Sequence, residues 1–521
     1  MPFLVQSFAI PPEPDGREEA WMIPSYRAVG LGIVCILLAL SGPLYSQGYR
    51  VRLDSRIQGV SWRGLNSGTI PRSQAILQPN GGFLTPDGNA ALCGETTCTF
   101  FTAGPSLRGM PWVSQLDLTA WGFGVSGLSL RVNGRTSTDL GTDGDWPGTQ
   151  PEVELVEGYL EYQRGGLNLR GGRQYHLGRL GSYGFDGGRL SYRPDRLGIE
   201  VMGYLGWGLA RGVSLPVTDE ALNPLNDFQP RDRQIVAGGD LSWATGPSSL
   251  RLEYRRELDP ETDHFVSERG GISWSLQPHP SLRLAVGGEY DFSFDEIGTA
   301  EASLTWSTAK FSLTGGGRRY QPFFDLWTIW GAFSPVAYHA GFGSLSLSPI
   351  RPLTLRVRGE RFIYEDTETN TPLVTVEDRG WRFSWGATWV PTKALVLDGG
   401  WQSEFAPGGS SRGLDGRVTV IPSTAITMSA NAGWLERPLD FRFSDAELFN
   451  YGGDLEIRPT STWRLGLQGA RVIENRSRPD ASGIDWGQWR FTARVTWDFG
   501  SSADRLPLPR AVRTRNRGLP R

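Results

Sequence analysis

Four histidines are the side chains with a pKa suited to proton transfer near neutrality: His176, His264, His279 and His339. None stands in a recognisable catalytic setting. Asp263 and His264 are adjacent, and neighbours on a strand point to opposite faces, which spoils a dyad. No G-x-S-x-G elbow, H-E-x-x-H pair or phosphate-binding loop occurs. The chain is therefore expected to be no enzyme. Asp143–Gly144–Asp145 opens like a calcium loop but lacks the remaining ligand order. Asp139, Asp143, Asp145, Glu152, Glu154, Glu157 and Glu161 have no base among them and read as a solvated acidic stretch. Cys93 and Cys98, in CGETTC, have neither a following histidine for haem nor further ligands for zinc. In an oxidising compartment they are expected to form a disulfide. No cofactor and no metal is expected.

Arginine is the residue left with chemistry to offer. Lysine occurs only at Lys310 and Lys393, so arginine supplies 50 of the 52 basic residues. Its charge is permanent, and its planar fork matches carboxylate and phosphate. The stretch 164–196 is locally basic. On a strand over 166–174, Arg170 shares a face with Asn168 and Gln174; Arg173 takes the other face unless Gly171–Gly172 form a bulge. Arg170, Arg173, Gln174, Asp186, Arg189 and Arg193 are candidates to line a constriction. Arg283, Glu289, Arg356, Arg358 and Glu360 are candidates on later strands.

These residues sit on period-two segments. In 381–389, Trp381, Phe383, Trp385, Ala387 and Trp389 alternate with Arg382, Ser384, Gly386 and Thr388. The stretches 249–257, 281–291, 353–360, 425–434 and 489–499 repeat the pattern, which gives each strand one apolar and one polar face. A soluble sandwich would hide the apolar face; a membrane barrel turns it to lipid and keeps a wet lumen. Three features favour the barrel. About 450 residues run on without a linker, beyond the roughly 250–300 at which single soluble cores stop growing. The strands are about 10 residues long, as a tilted crossing requires. Trp207, Trp243, Trp306, Trp401 and Trp434 fall near the ends of apolar faces, as interfacial girdles do. No run after residue 47 approaches the length of a spanning helix, and a net charge of −3 disfavours a nucleic-acid partner.

Tight turns, many marked by proline, are expected near Gly124 and Gly165 and at 194–197, 246–249, 277–281, 307–309, 348–352, 390–394, 421–424 and 458–462. Longer connections fall at 63–112, 136–151, 175–186, 208–232, 258–264, 291–297, 364–378, 404–411, 435–446 and 474–487. The two kinds alternate if 320–336 is one outer or lumen-folded connection and not two crossings. The expectation is an all-β, transmembrane, antiparallel up-and-down β-barrel of about 22 strands (20–24) over 48–499. Residues 1–47 read as an N-terminal extension and secretory signal peptide. Arg27 precedes the apolar run 28–40, Met22 offers an alternative start, and cleavage falls near Ser46 or Gln47. No plug domain is expected before the first strand. Residues 500–521 read as a disordered Arg/Pro-rich tail.

The segment GRQYHLGRLGSYGFDGGRLSY (172–192) resembles the GRQ…FDG…Y hairpin of alginate-export-type porins, with Arg173, Gln174, Asp186 and Gly187 at matching positions. That resemblance implies an outer-membrane barrel whose arginine-lined pore passes anionic polysaccharide or small solutes. The closing strand WRFTARVTWDF resembles the aromatic-ended strand by which the barrel assembly machinery recognises its clients. The leading expectation is a porin-like channel of the bacterial outer membrane for passive diffusion of polar small solutes, anions among them. Its surroundings would be outer-membrane lipid and lipopolysaccharide, with a homo-oligomer or periplasmic partner left open. The rivals are a sheath that houses a partner such as a multihaem cytochrome, and a structural or adhesive surface barrel.

Overall fold

The computed structural model describes residues 48–78, 82–141, 152–194, 197–209, 233–258, 260, 265–293, 295–321, 337–365, 378–406, 409–436, 445–477 and 486–501. The expected signal segment, the tail beyond residue 501 and most of 320–336 lie outside them, as do His264 and Asp143–Asp145.

Twenty-two antiparallel strands close into a ring, joined each to the next in chain order. Strand β1 (Gly48–Pro71) pairs with the last strand, β26 (Trp486–Gly500), from Arg50↔Gly500 to Gly59↔Phe491. On its other side β1 pairs with β6 (Pro111–Trp121). The apolar faces point away from the lumen and are uncovered: Leu205 is 60% exposed, Trp306 49% and Phe491 58%. The polar faces point inward and hold the buried charges, Glu253, Arg255 and Glu257 among them. This inversion of a soluble core is stable only where hydrocarbon replaces water outside.

The ten expected tight turns fall between successive strands, and nine of them are marked by proline or glycine. Gly246 (φ +50°), for example, joins strands ending at Thr245 and beginning at Ser248. The strands flanking 320–336 pair directly with each other, Tyr320↔Tyr338, so that segment is a single connection.

Two connections differ from expectation. The stretch 63–112 is largely sheet. Here β1 runs on past its partner β26 and pairs with β5 (Thr97–Gly109) from Val60↔Gly109 to Pro71↔Thr97, with a register shift between Arg63 and Leu65. Three short strands, β2 (Ile76–Leu77), β3 (Phe83–Leu84) and β4 (Ala90–Cys93), complete this extension. Cys93 and Cys98 are cross-strand partners and are joined by a disulfide. The loop they close is short, so replacing both with serine is expected to cost about 2 kcal/mol. The loss should stay within the extension: hydrogen exchange speeds up over 90–100, while the heat-modifiable gel mobility of the barrel is unchanged.

The second difference is 175–186, expected as a long loop. Instead β9 (Leu167–Gly178) and β10 (Gly181–Tyr192) form an unbroken hairpin whose only unpaired residues are Arg179 and Leu180.

Candidate functional site

The β9–β10 hairpin leaves the wall. Strand β9 pairs with β8 (Val153–Arg164) only as far as Gly158↔Arg173, and β10 pairs with β11 (Ile199–Gly208) only from Phe185↔Gly208. Between these limits the two strands of the hairpin pair with each other, and the one backbone bond back to the wall side is donated by the Leu209 amide to the Gly184 carbonyl at 2.8 Å. They lie against the inner surface of the wall strands that follow: β11, β12 (Ile235–Thr245), β13 (Ser248–Leu258), β14 (Phe265–His279), β15 (Leu282–Asp291) and β16 (Glu296–Ser307).

The glycines make this geometry possible. Gly172, where β9 begins to depart, has φ +127°, and a Cβ there would lie 2.2 Å from the Gly158 carbonyl oxygen. At the far end a Cβ on Gly287 would lie 2.0 Å from Arg179 Nη1, so the wall is bare where the tip rests.

An apolar seam holds the hairpin down. Tyr183 and Phe185 are 4% and 0% exposed and cluster with Met202, Tyr204 and Val236 of the wall. Tyr204 stacks on both Phe185 and His176, with ring centroids 5.2 and 4.9 Å apart. Burying two aromatic rings is worth on the order of several kcal/mol. That is enough to keep the hairpin docked against the freedom it gives up.

Charged contacts surround the seam. Arg255 lies under the Tyr183 ring, 5.0 Å from its centroid, and its Nε is 3.1 Å from Glu257 Oε1. At the tip, Arg179 reaches Glu289 at 3.7 Å and Glu301 at 3.2 Å. The Leu180 amide donates to Glu253 Oε2 at 3.3 Å, and Arg269 donates to the Leu180 carbonyl. His176, Asp240 and Glu253, all buried, each bring one ligand-type atom within 4.8 Å of the others. The Arg251 guanidinium already bridges those two carboxylates, bonding Asp240 and meeting Glu253 at 2.9 Å. It supplies the positive charge that a cation would.

The candidates from the sequence separate accordingly. Gln174 is buried beneath the hairpin and donates to the Gly187 carbonyl. Glu289 receives the tip. Arg173 does not face the lumen wall, because the β8–β9 register runs on without a bulge. It grips Asp186 with Nε at 2.8 Å and Nη2 at 3.0 Å, and Arg233 adds a third bond at 2.7 Å. This pair staples the crease where the hairpin turns from the wall. Arg189 stands opposite Arg170 and has no carboxylate partner among the described residues. Arg193, past the end of β10, meets Glu200 at 3.9 Å beside a tight turn and lies away from the hairpin. Arg283 is exposed and unpaired among the described residues. Glu360, 5% exposed, is bonded by Arg318 and lies 3.7 Å from both Arg358 and Arg382.

Sequence reasoning named Arg170 and Arg356 but missed the belt they share with Arg131 and Arg251. Arg131, Arg170, Arg251 and Arg356 are each the fourth residue of a strand rising from a tight turn, in β7 (Leu128–Asp139), β9, β13 and β19 (Leu353–Tyr364). They stand at one depth, about 10 Å in from the turns. Each is matched by a carboxylate: Asp117 and Glu157, Glu161, Asp240 and Glu253, and Asp398. Arg417–Asp454 and Arg464–Asp498 continue the pattern. The belt is thus densely charged with each of its arginines paired, while Arg189 and Arg283 stand outside the pairing. The recurrent fourth position was readable in the sequence, although the cross-strand partners were not.

No family model matches this sequence, and no curated protein matches it. Among solved structures, a mutant of the ferric enterobactin receptor of Pseudomonas aeruginosa in complex with enterobactin is similar at a TM-score of 0.52 and 10% identity, covering 86% of this chain and 81% of that one. Acinetobacter baumannii OccAB2 has a TM-score of 0.37 and 8% identity, covering 87% and 98%. Pseudomonas aeruginosa OpdK with vanillate has a TM-score of 0.35 and 10% identity, covering 86% and 98%. The local likeness of 172–192 to alginate-export-type porins finds no support among these. What this chain shares with the receptor structure is the fold, a large antiparallel β-barrel.

Proposed function

We propose that the chain is an outer-membrane channel for passive diffusion of small polar solutes, narrowed by the β9–β10 hairpin. The observation that carries this reading is the folding of residues 174–184 onto the inner wall. The face of the hairpin that would have lined the lumen is sealed; the opposite face, with Leu177 70% exposed, is left to the aqueous space. A barrel of 22 strands is too wide for side chains alone to fill, and a docked hairpin is one way to set its aperture. The same hairpin takes up space that a cytochrome-like partner would need, which argues against a sheath.

The permeant class follows from the charge pattern. Paired arginines and carboxylates offer hydrogen bonds to polar solutes without a strong field of either sign. Planar-bilayer recording of the purified full chain tests this. Discrete, ohmic steps are expected, with chloride and potassium permeabilities within about threefold of each other. A correctly folded sample that passes no current would sink the channel reading. A strong anion preference would leave the channel but reject the neutral-lining argument.

A further inference from the structure

The lipid-facing side of β15, β16, β17 (Phe311–Tyr320), β18 (Tyr338–Ile350) and β19 carries a feature that the pore does not use. Over most of the barrel this side is covered by leucine and aromatic side chains. Here Ala300, Ala302, Gly317 and Gly341 replace them, with Val286 and Ile363 at the margins, and leave a groove of about 860 Å³. The floor is backbone. A Cβ added at Gly341 would meet nothing within 4 Å.

Three cationic or basic side chains, Arg319, His339 and Arg361, stand toward the outer end of the groove. Two of them are engaged with Glu365, just past the end of β19: Arg319 donates to it at 2.7 and 3.1 Å, and His339 Nε2 lies 3.0 Å away. Hydrogen bonding from Arg319 holds the Glu365 carboxyl below the usual carboxylate range, so it stays ionised and offsets one charge. Arg361 is different. It is exposed and has no partner among the described residues. Its neighbour on the next strand, β20 (Arg379–Thr392), is Trp381, 44% exposed. Exposed tryptophan on a lipid-facing surface marks the depth of the headgroups. An unanswered arginine there is costly unless an anion of the membrane meets it.

We propose that this groove binds the lipid A end of lipopolysaccharide, with a phosphate on Arg361 and an acyl chain on the glycine and alanine floor. The guanidinium fork suits phosphate. A wall stripped of side chains lets an acyl chain lie closer than it can elsewhere. A second copy of the chain fits less well. A two-fold axis along the membrane normal would bring two Arg361 side chains to one depth, like charge against like.

Native mass spectrometry of the full chain in mild detergent, titrated with lipid A, tests the site. Arg361→Gln removes the phosphate contact, and Gly341→Phe fills the groove without touching the wall. Each is expected to lower retained lipid A at least about tenfold. Dephosphorylated lipid A should show the same loss on the unmodified protein. Heat-modifiable gel mobility establishes that each variant is a closed barrel; an unfolded Gly341→Phe is replaced by Gly341→Leu. Equal retention by all three proteins, or by both lipids, overturns the proposal. So does a dimer that Gly341→Phe separates while lipid A retention is unchanged, because the occupant is then a second copy.

Discussion

Excising residues 175–184 and joining Gln174 to Phe185 through two glycines is expected to raise single-channel conductance by about threefold or more. The hairpin is the structure that narrows the lumen beside β11–β16, and conductance follows the narrowest cross-section. The barrel should survive the excision. Residues 175–184 form no ladder with a wall strand, so their removal costs the ring's margin a single backbone bond, from the Leu209 amide to the Gly184 carbonyl. The charges beneath them, Arg251, Glu253, Arg255 and Glu257, are exposed to water and not left buried without partners. A milder variant guards against misfolding. Arg179→Ala removes the tip's two ion pairs, to Glu289 and Glu301, and leaves the Leu180 backbone bonds and the aromatic seam in place. It should add open-channel noise without a threefold change in the mean current. If the excised protein folds and conducts like the parent, the hairpin is not the constriction.

How much of this was legible in the sequence follows from what period two encodes. Alternation tells which face of a strand is apolar, and proline and glycine mark where strands end, so the ring and most of its turns could be read from residues such as Trp381–Trp389 and Gly246–Pro247. Alternation does not tell what a polar face will meet. The lumen face of β9 carries Gln174 and His176, ordinary lining residues by type, yet they are pressed onto another part of the same wall. Their partners Tyr204, Asp240 and Glu253 lie on strands distant in sequence, and no local signal links them. The stretch 175–186, with Tyr183 and Phe185 set among glycines, read as a long connection. Those glycines are instead what lets two sheets approach closely. The extension over 60–109 was hidden for a related reason: strand β1 continues past its wall partner, and nothing in its pattern marks where β26 stops.

Replacing Arg255 with methionine is expected to destabilise the docked hairpin by about 1.5–3 kcal/mol, because it takes from the buried Glu257 carboxylate the guanidinium 3.1 Å away and removes the cation beneath Tyr183. Glu257 is 0% exposed and Arg255 is 2% exposed, and neither can reach water while Tyr183 covers them. The protein has an escape, which sets an upper limit to the loss: the hairpin can lift and let water reach Glu257. The substitution should therefore show itself first as hairpin opening. Hydrogen exchange would rise over 174–184 and conductance would shift toward the excised form, before any change in global unfolding by urea. Context decides the magnitude. With 175–184 already excised, the same two side chains lie in water, where an ion pair is worth about 1 kcal/mol or less, and Arg255→Met should become nearly silent. Restoring neutrality by Arg255→Met with Glu257→Leu should recover most of the loss in the intact chain, since a well-packed apolar pair replaces a buried charged one at little cost. Equal destabilisation by Arg255→Met in the intact and excised proteins would mean that the pair supports the barrel wall itself. The docked hairpin would then have no part in burying it.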